Sequence, residues 1–182
     1  ESLAIMGKTG SGKSTIALLL CRMIQPTEGV ILIDGKDLEE HNLENYRQAI
    51  GYIPQESYLF SDTIANNIGF PVDHPTEQEI IKYAKKADVH KNIVKFKEQY
   101  QTMVGERGVM LSGGQKQRIC IARALIRQPQ ILIFDDSLSA LDTETEENIL
   151  NNIENDLRNC TSIIITHRES TAKKADKILN LT

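Results

Sequence analysis

The sequence predicts an α/β fold in which helices cover both faces of a mostly parallel sheet. Three observations carry that expectation. The chain opens on a short apolar run, Leu3-Ala4-Ile5-Met6, followed by a glycine-rich loop and then an apolar helical segment. Two later runs, Ile131-Leu132-Ile133-Phe134 and Ser162-Ile163-Ile164-Ile165-Thr166, have the length and β-branched content of strands buried on both faces. Helical periodicity fills the space between them, and strands alternating with helices argue for a parallel sheet.

Taken in order, Ile16, Leu18, Leu19, Leu20, Met23 and Ile24 give the first helix its apolar positions. Val30-Ile31-Leu32-Ile33 reads as an edge segment ending in the turn Asp34-Gly35. Ile50-Gly51-Tyr52-Ile53 reads as a strand. Residues from about 56 to 112 read as mostly helical, with Thr76 and Glu79 forming a capping box that opens a helix through Lys86. A strong helix is predicted over Gln115 to Arg127. Another starts near Asp142 and Thr143 and carries Ile149, Leu150, Ile153 and Leu157 along one face. The expected organisation is a core made of residues 1–55 and 128–182, with a helical subdomain inserted over about 56–127.

Two glycine-rich motifs carry the chemistry. Gly7-Lys8-Thr9-Gly10-Ser11-Gly12-Lys13-Ser14 is a G-x-x-x-x-G-K-S run in strand–loop–helix context, the setting of a phosphate-binding P-loop. Loop amides and the positive helix end would cradle phosphates. Lys13 would bridge β- and γ-phosphate oxygens, Ser14 would ligate Mg²⁺, and Thr15 would add a hydroxyl near the α-phosphate. Asp135 and Asp136 close the apolar run 131–134, at the strand end where open α/β sheets place ligands. Asp135 is placed to hold Mg²⁺ through water, and Asp136 sits where a general base would stand. The second glycine motif is Leu111-Ser112-Gly113-Gly114-Gln115.

In this order and spacing the chain resembles the nucleotide-binding domain of ABC transporters, over essentially its whole length. Gly7 to Ser14 resembles Walker A, Gln55 the Q-loop glutamine, Leu111 to Gln115 the ABC signature, and Ile131 to Asp135 Walker B. Ser139-Ala140-Leu141-Asp142 resembles the D-loop and His167 the switch histidine. The resemblance implies ATP and Mg²⁺ as ligands, with Ser14, Gln55 and Asp135 at the metal. It also implies a head-to-tail pair of such domains, in which Ser112, Gly113, Gly114 and Gln115 of one chain cap the γ-phosphate held by the P-loop of the other. Gln55 would sense that phosphate and the metal, and His167 would orient the attacking water. Leu59 to Ile68 resembles the exporter segment after the Q-loop, and Thr102 to Gly108 the exporter X-loop, in which Glu106 and Arg107 would pair with charges of a membrane domain.

One position departs from the hydrolytic pattern. The family's glutamate after the Walker B aspartate is Asp136 here. A base one methylene shorter retreats by about 1 Å, which can cost on the order of a hundredfold in rate. The expectation is tight ATP binding with slow hydrolysis at this chain's own site, in a homo- or heterodimer with the heterodimer favoured; the alternative is that Asp136 works adequately in a homodimer. Two other classes stay open: a soluble ABC ATPase of DNA repair or translation, and a mainly regulatory nucleotide binder.

Composition narrows the field. The 182 residues suffice for a substantial core, and no run approaches the ~20 apolar residues a membrane span needs. The net charge of −4 gives no basic footprint for nucleic acid. Cys21, Cys120 and Cys160 lack metal-ligand spacing and are expected as buried free thiols of a reducing compartment. Lys82, Lys85, Lys86, Lys91, Lys95 and Lys97 read as a solvated helical face. The chain opens directly on the strand before the P-loop, so upstream strands and a transmembrane domain are expected in a longer parent at the cytoplasmic face of a membrane. The family's adenine-stacking aromatic would lie in that upstream part, so the fragment is expected to bind ATP more weakly than its parent.

Overall fold

The computed structural model describes residues 1–105 and 108–182. In chain order the elements are β1 (Ser2–Gly7), α1 (Lys13–Leu20), β2 (Leu32–Ile33), β3 (Lys36–Asp37), α2 (Leu43–Gln48), β4 (Ile50–Ile53), α3 (Ile64–Gly69), α4 (Glu77–Lys86) and α5 (His90–Ile93). They continue with α6 (Gly113–Ile126), β5 (Ile131–Asp135), α7 (Thr143–Asn152), α8 (Glu154–Arg158), β6 (Thr161–Ile165), α9 (Glu169–Ala172) and β7 (Lys177–Leu181).

The main sheet has the order β4-β5-β6-β1-β7, and every pairing in it is parallel. Alternation along the strands divides the core. Ile133, Ile163, Ile165 and Ile5 pack with Ala17 and Cys21 of the α1 region on one face. Leu132, Phe134, Ile164 and Ile53 pack on the other face with Ile119, Ile121 and Leu125 of α6 and Ile149 of α7. Because Asp135 stands two residues beyond Ile133, the same alternation turns it toward the α1 face.

Helix α6 is buried nearly all round, at Gln117, Ile119, Cys120, Ile121, Ala122, Leu125 and Ile126. A helix with that pattern has neighbours on every side. Here they are the sheet on one side and α3 and α4 on the other, so one continuous apolar cluster runs from Phe134 through Ile119 to Ile68 and Ile80. Helix α4 is amphipathic by contrast. Ile80, Tyr83 and Ala84 face that cluster, while Thr76 and Glu79 close the expected capping box and Lys85 and Lys86 lie in the last turn.

Five sequence expectations differ from the structure. The first helix ends at Leu20, because Arg22 adopts φ 50° and the Met23 and Arg22 amides turn back onto the Leu18 and Leu19 carbonyls. This is a Schellman closure, and it leaves Met23 exposed. The segment at Val30–Ile33 contributes only Leu32–Ile33, which pairs with β3 in a separate two-stranded hairpin. Its turn residues Asp34 and Gly35 both take positive φ, as the Asp-Gly signal requires. The helix expected from Asp142 to Leu157 is broken at Ile153, the last cap of α7 and the first of α8. Finally, β7 adds a parallel strand next to β1 that the sequence reading omitted. Among the described residues, the block from 56 to 112 holds three short to medium α-helices joined by loops rather than a mostly helical unit.

All three cysteines are buried and free, as expected. The lysine stretch is not wholly solvated: Lys86 Nζ lies 2.6 Å from Asp156 and ties α4 to α8. Among the described residues, no helix is long and apolar enough to cross a membrane.

Candidate functional site

The C-terminal ends of β1, β4, β5 and β6 converge on one cavity of about 490 Å³. Its walls are Thr9, Gly10, Gly12, Lys13, Ser14 and Thr15 from the loop and α1, Gln55 from after β4, Asp136 from after β5, Ile165 at the end of β6 and His167 from just after it. The sheet order brings together groups separated by more than a hundred residues of sequence.

Gly10 and Gly12 hold φ of 84° and 92°, where a Cβ would be strained although none would collide. Gly7 is required for a different reason. A Cβ there would stand 2.7 Å from the Leu181 carbonyl oxygen on β7 and 2.7 Å from Ser11 Oγ. Helix α1 begins with Gly12 at its N-cap and no side-chain cap. Its first amides and positive end are therefore left to an external anion. Lys8 and Thr9 are exposed at the loop tip, and Ser11 Oγ is buried beneath it with no hydrogen-bond partner among the described residues. Lys13 is 7% exposed, and its ammonium donates 2.8 Å hydrogen bonds to the Gly7 and Lys8 carbonyls.

Asp135 is 3% exposed and held from two directions. Ser14 Oγ donates to Oδ1 at 2.8 Å, and the Tyr52 hydroxyl donates to Oδ2 at 3.0 Å. Burial, reinforced by the negative Asp135, pushes the Tyr52 phenol well above its usual range. Asp136 takes φ 48° and donates its backbone N–H to the Ile165 carbonyl. Its Oδ2 is 3.7 Å from His167 Nε2, and its Oδ1 is buried without a hydrogen-bond partner among the described residues. Burial raises the Asp136 carboxyl above the ordinary carboxylate range, while the neighbouring His167 pulls it the other way. Gln55 and His167 are both exposed at the cavity wall.

Oxygen donors suit a hard divalent cation, and one carboxylate with one hydroxyl beside a phosphate cradle is enough for Mg²⁺, which keeps several waters. That sparse set is consistent with there being no cluster of three or more His, Cys, Asp or Glu side chains with metal-ligand geometry among the described residues.

The signature segment lies outside this cavity. Ser112 is the N-cap of α6: its Oγ accepts from the Gln115 N–H at 3.2 Å, and its own N–H donates to Gln115 Oε1 at 3.0 Å. Gly113 and Gly114 form the first turn of the helix rather than preceding it, and the Gln115 side chain is spent on the cap. Among the described residues, a Cβ on Gly113 would meet nothing within 4 Å, and one on Gly114 would come only within 3.6 Å of Leu141 Cδ2. Glu106 and Arg107 of the X-loop expectation fall outside the described residues.

Sequence reasoning missed three residues. Tyr52 was read as part of an apolar strand. Its pairing register, opposite Ile133, places it one residue pair short of Asp135 on the same face. Gln117 is 1% exposed and donates from Nε2 to the Pro54 carbonyl at 3.2 Å, which links α6 to the chain just before Gln55. Arg168 pairs with the buried Glu146 and donates to the Leu141 and Ser139 carbonyls at 2.8 and 3.3 Å. It thereby ties the segment at His167 to Ser139–Asp142.

Comparison with known proteins fits this arrangement. The ABC transporter family profile matches residues 1–139. The ABC transporter ATP-binding protein YfiB of Bacillus subtilis is 51% identical over 100% of this chain and 31% of its own length. The zebrafish mitochondrial iron-sulfur clusters transporter ABCB7 is 43% identical over 100% of this chain and 24% of its own. The solved structure of a bacterial Atm1-family ABC exporter with ATP bound superposes with a TM-score of 0.95 at 46% identity, covering 100% of this chain and 32% of that one. The chain thus spans about a third or less of the relatives it matches. By sequence and by fold, the chain belongs to the ABC transporter family, as an ATP-binding domain of that family.

Proposed function

We propose that this chain is the ATP-binding and hydrolysing domain of an exporter, slow at its own site, and that nucleotide-driven head-to-tail pairing with a second ATP-binding domain works a transmembrane domain from the cytoplasmic face. The observation that supports this best is the division between the two glycine motifs. The P-loop shares a cavity with Gln55, Asp136 and His167, whereas Ser112–Gln115 stands apart from it. A signature outside its own chain's P-loop cavity is available to the phosphates of another. In this reading residues 1–55 and 128–182 are the ATPase core, and about 56–127 is the subdomain that presents the signature.

Each residue has a stated part. The amides of Gly7 to Ser14 and the uncapped end of α1 hold the β- and γ-phosphates. Lys13 exchanges its two carbonyl partners for phosphate oxygens, and Thr15 stands near the α-phosphate. Ser14, Asp135 and Gln55 hold Mg²⁺, which neutralises charge on the phosphates when bound. Asp136 receives the proton of the attacking water, and His167 orients that water and contacts the γ-phosphate. Ser112, Gly113 and Gly114 cap the phosphate of the opposing domain, while Gln115 fixes Ser112 by the capping box.

Asp136 sets the rate. Its raised basicity favours proton transfer, but its reach is about 1 Å short of a glutamate, a loss on the order of a hundredfold. The proposal is therefore an asymmetric pair, in which this site holds ATP and the opposing domain turns it over. Single-turnover cleavage at this site tests it. Asp136→Glu should accelerate cleavage on the order of a hundredfold, and Lys13→Ala should abolish nucleotide retention. Unchanged cleavage in Asp136→Glu would remove the asymmetry, and unchanged retention in Lys13→Ala would remove the site itself.

A further inference from the structure

We propose that Tyr52 is a positioning residue for the divalent cation: its hydroxyl fixes Oδ2 of Asp135 and so keeps Oδ1 turned toward Ser14 and the phosphate cradle. The inference rests on the reading that Asp135 and Ser14 hold Mg²⁺, and it adds a residue that none of the glycine, carboxylate or histidine motifs contains.

The geometry follows from the sheet. Strands β4 and β5 are parallel neighbours with Tyr52 opposite Ile133. Side chains two apart on a strand share a face, so Asp135 emerges on the same face as Tyr52, one pleat further along. A long phenol spans that offset, and its hydroxyl arrives 3.0 Å from Oδ2. Ser14 reaches the other oxygen from α1 at 2.8 Å. A carboxylate gripped by one donor alone can rotate about its last bond; two donors, one to each oxygen, fix its plane. The two are not equivalent. Ser14 belongs to the P-loop and has a hydroxyl oxygen to offer a cation, so Ser14 and Oδ1 of Asp135 are the groups that would hold it. Tyr52 approaches from β4, on the oxygen that Ser14 does not use, so its bond can persist with the cation in place. This is the role that outer partners of metal ligands perform: they hold the ligand in one orientation before the metal arrives.

Burial adds weight to the assignment. Asp135 is 3% exposed, so water is poorly placed to substitute for a lost donor at Oδ2. The strand that carries Tyr52 also leads, three residues later, to Gln55 at the cavity wall. The bond from Tyr52 to Asp135 therefore fixes the cation ligand relative to the segment expected to sense the cation.

The test is a Mg²⁺ titration of the purified protein, read by the binding of a fluorescent ATP analogue, in the wild type, Tyr52→Phe and Asp135→Asn. Tyr52→Phe keeps the ring and removes only the donor. The Mg²⁺ concentration for half-maximal enhancement should rise about tenfold in Tyr52→Phe, while analogue affinity without Mg²⁺ stays at the wild-type value. A Tyr52→Phe midpoint equal to wild type, with Asp135→Asn clearly impaired, overturns the role of Tyr52 and leaves the cation reading intact. Equal midpoints in all three proteins overturn both. Should Tyr52→Phe not fold, 3-fluorotyrosine in the wild-type chain supplies a second reading. The Tyr52 resonance, identified by selective broadening with Mn²⁺, should shift when Mg²⁺ is added to the nucleotide-bound protein. A resonance unmoved by Mg²⁺ counts against the proposal as firmly as a silent variant.

Discussion

Two helix starts in this molecule are built from glycine and serine, yet they are finished in opposite ways. Helix α1 begins at Gly12 with no side-chain cap, and its approach is held by left-handed Gly10 and Gly12. Helix α6 begins at Ser112 with a complete capping box to Gln115. The open end faces a cavity furnished with Lys13, Gln55, Asp136 and His167. The closed end is locally satisfied, and its glycines have no steric or conformational reason within the described chain to be glycine: Gly113 has open space around it and neither residue takes a positive φ. The contrast teaches where each demand comes from. At α1 the backbone of this chain requires glycine. At α6 the described chain makes no such demand, and the proposed pairing with a second domain is what would supply one.

The largest stability effect is expected where the two regions are joined. Arg168 binds the buried Glu146 and the carbonyls of Leu141 and Ser139, and Leu141 in turn lies beside Gly114. Glu146→Ala strands the guanidinium and the Thr171 hydroxyl that also bonds to Glu146. We expect a loss of about 3 kcal/mol in urea unfolding. A loss below about 1 kcal/mol would show that the pair behaves as a solvated one and does not tie the two regions together.

Smaller and more pointed is a matched pair of glycine replacements. Gly12→Ala forces a Cβ into left-handed backbone and should cost about 1–2 kcal/mol. Gly113→Ala should cost the lone chain nothing, and as a better helix former it should gain up to about 1 kcal/mol. Equal costs at both positions would erase the distinction drawn between the two helix starts.

Smallest is an acid effect to which two capped helix ends contribute. Glu79 in the α4 capping box and Asp142 at the start of α7 are both held below their ordinary values of 4.5 and 3.8, chiefly by the backbone amides they accept from. A carboxylate with a depressed folded value stabilises the fold at neutral pH, and that contribution is lost as pH falls through and below the ordinary carboxylate range. Urea midpoints should therefore decline below about pH 4.5, with a shallower decline in Glu79→Gln and Asp142→Asn. An undiminished slope in the double variant would place the acid sensitivity elsewhere.

The strands and capped helices were legible because short continuous apolar runs and capping boxes are local signals. Ile131–Asp135 and Thr76–Lys86 came out within a residue of the sequence reading. What escaped was set by tertiary contact. β7 is mostly exposed and has neither a buried run nor alternation to announce it; only its pairing with β1 makes it a strand. Nothing local marks Arg22 as the left-handed residue that ends α1, since glycine usually fills that place. The P-loop and the two aspartates were readable from their motifs. Tyr52, Gln117 and Arg168 were not, because each acts on a group more than 20 residues away in the chain.

The central claim is that the P-loop serves this chain's own nucleotide while the signature serves another's. Calorimetric titration of Mg-ATP into the isolated wild type, Lys13→Ala and Ser112→Arg tests it most directly. The account predicts that Lys13→Ala loses binding and that Ser112→Arg retains the wild-type affinity. Loss of affinity in Ser112→Arg, or full retention in Lys13→Ala, would contradict it.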